Sequence, residues 1–209
     1  MKNGLKLEST KVAKQKIDNA IADQINTSIK KNKSLVISKL KKYVEIWIRS
    51  QPEIISLSNE NTPGSLNSQL GLRSGSASSA VTAIVQAVVN SIKINLTKVD
   101  KKLKGGVEFS FQSKNFANLL TLSAGVTVTE KGQSLPWLNW LLTQGDSIII
   151  VGYKYEAGSG GRSGGGKMTT GSSFRIPPKY SGNTTNNFIT RALSNRNTEI
   201  KNLLMRLFS

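Results

Sequence analysis

Cysteine and histidine are both absent from this chain of 209 residues. Their absence excludes disulfides, Cys/His metal centres, a Ser-His-Asp triad and a cysteine nucleophile. It also removes cysteine usage as a guide to compartment. Acidic side chains are scarce: twelve Asp and Glu stand against twenty-nine Lys and Arg, a formal net charge of +17. Long apolar runs are missing too. Ser147-Ile-Ile-Ile-Val151 is among the longest, far short of the roughly 20 residues that span a bilayer as a helix. The opening Met1-Lys-Asn-Gly-Leu-Lys-Leu-Glu8 lacks the apolar centre of a signal peptide. The expectation is a soluble intracellular product with no membrane partner.

What is present starts with charge. Residues 1–50 carry twelve basic and four acidic side chains, a net of +8, residues 51–135 a net of +3, and residues 136–209 a net of +6. A basic excess of this kind attracts nucleic acid, anionic lipid or acidic protein surfaces, and by itself does not choose among them. Apolar residues make up 37%, enough for a core in one domain with extensions or in two small ones.

Periodicity places the elements. Ser9 or Thr10 can cap a helix over residues 9–30 that carries Ile17, Ile21, Ile25 and Ile29 on one stripe. The polar cluster Lys30-Lys31-Asn32-Lys33-Ser34 reads as an interruption before a second helix over 34–50. There Leu40, Tyr43, Val44, Trp47 and Ile48 share a face, and Pro52 ends it. Lys30, Lys31, Lys33, Lys39, Lys41 and Lys42 form a basic surface on this region, either a solvated helix face or a surface turned to DNA or a neighbouring subunit. Thr62-Pro63 opens a short helical turn through Leu66 and Leu70, and Ser74–Ser79 reads as a loop. Val81, Ile84, Val85, Val88 and Val89 favour a buried helix over 79–90.

Residues 91–99 and 107–111 alternate as two strands of a hairpin about Lys101–Gly106. Val126–Val128 is a short strand. Ser134–Leu142 is a short amphipathic helix with Pro136 near its start and Gly145 beyond its end. On it Trp137 and Trp140 read as core or interface residues. Residues 148–155 are a strong strand, and 198–208 a final helix bearing Ile200, Leu203, Leu204, Leu207 and Phe208 on one side. The fold class is α+β: N-terminal helices, a small mainly antiparallel sheet, a long glycine-rich loop and C-terminal helices. The expected division is a basic helical region, 1–52, and an α+β core, 53–209, with its extended loop at 157–173.

That loop imitates a phosphate cradle. Gly161-Arg-Ser-Gly-Gly-Gly166-Lys167 fits G-x-x-x-x-G-K after a strand. Met168 then stands where a Ser or Thr hydroxyl should hold magnesium. No helix follows to offer its N-terminus, since Thr169–Ser173 leads into Phe174-Arg-Ile-Pro-Pro178. No nucleotide, metal or other cofactor is expected. The loop reads as a segment lying along phosphates, threading between subunits, or simply disordered on the surface. Arg162, Lys167, Met168, Phe174 and Arg175 are its candidate contact residues. Asp146, Glu156 and Glu108 make no convincing catalytic pair, and Glu156 reads as a salt-bridge partner. The chain is not expected to be an enzyme.

Three short motifs carry a resemblance: Tyr155-Glu156-Ala157-Gly158 at a strand end, the proline segment Phe174–Pro178, and Phe188-Ile-Thr-Arg-Ala192 at a helix start. In this order the chain resembles the neck and tail-completion proteins of tailed bacteriophages, over roughly residues 135–209 in motif and elsewhere in plan. The glycine-rich segment and the 198–208 helix depart from that family's compact pattern. The resemblance implies an architectural protein made in the host cytoplasm and incorporated in the virion. It would form a homo-oligomeric ring, hexamer or dodecamer by analogy, around the DNA channel. Its partners would be neighbouring connector, portal-side or tail-tube proteins, with non-specific contact to the DNA. Leu203, Leu204, Leu207 and Phe208 would form an interface helix. A tail terminator protein and a basic nucleic-acid-binding module without catalysis are the alternative readings.

Overall fold

A computed structural model describes residues 9–112, 115–129 and 132–208. With 49% helix, 17% strand and small antiparallel sheets, the chain is α+β. The described residues fall into two compact units. One holds residues up to Leu40, Lys93–Ser110 and the segment from Asn197; the other holds Lys41–Ile92 and Phe111–Arg196. This division does not follow the expected boundary at residue 52.

Helix α1 (Thr10–Arg49) is unbroken over 40 residues. The expected interruption at Lys30–Ser34 does not occur. Lysine is a good helix former, Asn and Ser cost only fractions of a kcal/mol, and no Gly or Pro lies within the span. Repulsion between neighbouring lysines, a few tenths of a kcal/mol per pair, is too small to open a helix so uniformly permissive. Pro52 lies beyond its end and begins α2 (Pro52–Ser58), where a proline sacrifices no helical hydrogen bond.

In the first unit, β1 (Lys93–Thr97) pairs antiparallel with β2 (Gly106–Ser110), Asn95 opposite Glu108. The turn is held by Asp100, whose Oδ1 accepts from the amides of Lys102 and Lys104 at 2.8 and 2.9 Å. Asn26 of α1 clasps the backbone of Val99 in both directions: its Nδ2 donates to the carbonyl and its Oδ1 accepts from the amide, at 2.9 and 2.8 Å. Both backbone groups of buried Val99 are thereby satisfied. Ile17, Ile21 and Ile25 stay exposed along α1.

In the second unit, α2 is followed by α3 (Leu66–Gln69) and α4 (Ser76–Asn90). Ser76–Ser79, expected as loop, is helical. Gly75 takes the left-handed conformation at the N-cap, and Glu60 accepts from the amides of Gly75 and Ala77 at 2.7 and 3.2 Å. This carboxylate satisfies donors that no local side chain caps. The apolar set read from the sequence, Val81, Ile84, Val85, Val88 and Val89, is buried. After α5 (Ala117–Leu120), a 3₁₀ turn (Ser123–Gly125) and the short pair β3 (Thr127–Val128) and β4 (Ser134–Leu135), the chain enters α6 (Trp137–Leu142). Trp137, Leu138, Leu141 and Leu142 are buried there.

Strands β5 (Ile150–Ala157) and β6 (Gly166–Phe174) form an antiparallel hairpin with a bulge between Val151 and Tyr153. Helix α7 (Phe188–Leu193) closes the unit, and α8 (Asn197–Phe208) belongs to the first. Buried Asn187 caps α7 and uses both ends of its side chain. Its Oδ1 accepts from the amides of Ile189 and Thr190, and its Nδ2 donates to the carbonyls of Leu142 and Asn183. Asn187→Ala is expected to cost about 2 kcal/mol, the upper end of the capping range, because it orphans buried partners as well as the helix end. Urea denaturation checks this.

Candidate functional site

The segment expected to be a loop, residues 157–173, is mostly strand. Several of its glycines serve close packing. A Cβ on Gly166 would stand 2.5 Å from both the Glu156 carbonyl and Tyr155 Oη. One on Gly171 would stand 2.4 Å from Lys154 Cγ. Low β propensity therefore misleads here: side chains of β5 need the space that β6 leaves. The irregular part shrinks to residues 158–165.

This tip is folded onto its own unit. Tyr155 Oη donates to the Gly165 carbonyl at 2.7 Å and accepts from the Gly64 amide at 3.0 Å. Ser163 is buried and donates to the Ser68 carbonyl. Tip amides are spent internally, Gly164 on Gly161, Gly166 on Gly160 and Gly158 on Gly165. These three amides are not free to gather around a phosphate.

Arg162 turns inward from the tip. Its Nε donates to the Gly71 carbonyl at 2.7 Å, Nη1 to the Val128 carbonyl, and Nη2 to Thr127 Oγ1 at 3.0 Å. With Arg73 it lines an open cleft of about 400 Å³, together with Leu72, Ala80, Ala124 and Val126. Two cationic side chains thus share one concave surface.

The expected contact residues do not form one surface. Arg162 is engaged as described. Lys167 is exposed, Met168 half-buried, and Phe174 is 6% exposed and part of the core. Arg175 is exposed and bridges to Asp146 at 3.0 Å. Glu156 pairs with Lys154 at 3.0 Å, and that ammonium holds its carboxyl below the ordinary glutamate value. Glu108 is exposed on β2. Among the described residues there is no group of three or more acidic side chains placed to hold a metal ion.

On α1, Lys30, Lys31, Lys33, Lys39 and Lys42 are exposed and Lys41 is half-buried. None has a carboxylate partner among the described residues. On α8, Leu203 is buried while Leu204 and Leu207 are half-buried; the side chain of Phe208 lies outside the described residues. Sequence reasoning did not single out Arg73, Gly71, Thr127 or Glu60. They carry no motif, and only the fold brings them to Arg162 or to the start of α4.

Comparison with protein-family models, curated proteins and solved structures returned no match to this chain. Among the described residues, no helix is long and apolar enough to cross a membrane.

Proposed function

We propose that this chain is a non-catalytic structural protein of a tailed-phage virion, a ring-forming neck or tail-completion component that joins the head connector to the tail around the DNA channel. The observation that carries the reading lies on α1. Within a single unit this helix presents an exposed ridge of Ile17, Ile21 and Ile25 and, further along, the exposed and unpaired Lys30, Lys31, Lys33 and Lys39. An apolar ridge at four-residue spacing suits helix packing against a neighbour. Lysines without carboxylate partners suit diffuse contact with phosphates that must slide, free of base readout. The three C-terminal motifs place the resemblance with the neck family, and its ring is a hexamer or dodecamer by analogy.

A basic nucleic-acid-binding module is the second reading, favoured by the same unpaired lysines. Light scattering on the full chain, followed by imaging of the assembled particle, separates the two. The ring reading expects a closed oligomer, alone or with its neighbours, located between head and tail. A monomer that binds duplex DNA tightly at low salt and releases it steeply as salt rises would replace it. Engagement of the four lysines named would give a log–log slope of about −3.6.

A further inference from the structure

The cleft at Arg162 has a property that its structural role does not use. A guanidinium has five N–H groups. Three of those on Arg162 are taken by the Gly71 carbonyl, the Val128 carbonyl and Thr127 Oγ1, so one remains on each terminal nitrogen. All three acceptors are neutral, and the charge is not compensated by any carboxylate among the described residues. Gly71, at φ +60°, makes the close approach: a Cβ there would stand 3.4 Å from Nη2. The guanidinium is thus immobilised before any ligand arrives, which removes the ordering cost that weakens most surface arginines.

Arg73 stands on the same cleft, exposed, and its guanidinium has no hydrogen bond or ion pair among the described residues. The nearby carboxylate of Glu60 is committed to the amides that start α4. No acidic residue lines the cleft, and Leu72, Ala80, Ala124 and Val126 line it beside the hydroxyls of Ser76, Ser79 and Thr127. Two arginines next to these aliphatic side chains complement a carboxylate flanked by an aliphatic side chain. The cleft is open, which suits a chain segment passing through it. Lysine is absent from its lining, whereas surfaces that follow a nucleic-acid backbone combine basic side chains along an extended groove.

We infer that this cleft is a docking site for an acidic, aliphatic-flanked peptide segment of a partner protein, with one carboxylate held by Arg162 and Arg73. Charge complementarity selects the occupant: a chain of net charge +17 is the poorer match to itself. The inference does not depend on ring formation.

The test is NMR on the full chain, following the Nε–H signals of Arg73 and Arg162. The probe is a short capped peptide alternating Leu and Glu. Its Gln-for-Glu counterpart and a short DNA duplex serve as controls. The acidic peptide is expected to shift both arginine signals, and the Gln peptide to shift neither. Arg73→Gln is expected to weaken peptide binding roughly tenfold, the worth of a charge-assisted contact. Ser79→Trp, at an exposed position lining the cleft, is expected to block it. Both variants leave the three Arg162 hydrogen bonds in place, so folding is not at stake. No shift of either arginine signal with the acidic peptide, or unchanged affinity in Arg73→Gln, would overturn the proposal. So would DNA shifting the two arginines where the peptide does not, which would assign the cleft to nucleic acid.

Discussion

Trp137→Ala is expected to lower the free energy of unfolding by about 3–5 kcal/mol, the cost of deleting a large buried aromatic and leaving a cavity. The indole is wholly buried on α6, beside Leu138, Leu141 and Leu142, which are buried as well. A six-residue helix cannot hold itself in water, so α6 exists because these side chains are packed. The ring nitrogen adds a second, separable term. Nε1 has no hydrogen-bond partner among the described residues, so it loses hydration without replacement. Trp137→Phe removes that unpaired donor along with part of the volume, and is expected to cost less than half of the alanine variant. Urea denaturation of the three proteins decides it. If the phenylalanine variant is as unstable as the alanine one, the indole nitrogen has a partner and this account of α6 is wrong.

The second large effect concerns a pair 138 residues apart in sequence. Glu53, 1% exposed in the first turn of α2, is bonded through Oε1 to Arg191 Nη2 of α7. Its Oε2 has no partner among the described residues. Arg191 is 38% exposed and also donates to Asn186 Oδ1 at 3.0 Å. The two ends are therefore unequal. Arg191→Ala strands a buried carboxylate and is expected to cost roughly 3 kcal/mol, the low end for a broken buried pair because the arginine is partly solvated. Glu53→Ala leaves an arginine that water can reach, and is expected to cost clearly less. The double variant should then be more stable than Arg191→Ala alone, because the stranded charge is gone. Equal losses from the two single variants, or a double variant worse than both, would show that the pair does not act as a buried charge and its counter-ion.

These two contacts also mark where reading from sequence stops. The apolar face of α4 was legible, because Val81, Ile84, Val85, Val88 and Val89 repeat at the helical period and all are buried. The β1–β2 hairpin was legible from alternation around Lys101–Gly106, and its register follows. The salt-bridge role of Glu156 could be read from its basic neighbours, and Lys154 supplies the partner two residues away. In each case the signal and its cause lie within one or two turns of chain. The absence of a break at Lys30–Ser34 also has a local reason: the polar cluster resembles a helix stop but holds no residue that stops helices.

The glycine-rich segment failed for a different reason. Six glycines between residues 158 and 166 read as freedom. In the structure Gly161, Gly164, Gly165 and Gly166 are concessions to Tyr155, Glu156 and other parts of the same unit, while Gly158 and Gly160 face open space, and no local pattern reveals which meaning a glycine has. Arg162 is the sharpest case. As letters it belonged to a mobile cationic loop, yet its three acceptors lie 91, 34 and 35 residues away. Composition alone excluded disulfides, histidine chemistry and a cysteine nucleophile and imposed a strongly basic charge, because those facts need no geometry. Periodicity placed most helices and strands, because backbone hydrogen bonding and one-sided burial act over a few residues. Which cations are spent inside the fold and which remain for a partner was decided by tertiary packing, since a charge is neutralised by whatever the chain brings within a few ångströms of it, at any distance in sequence.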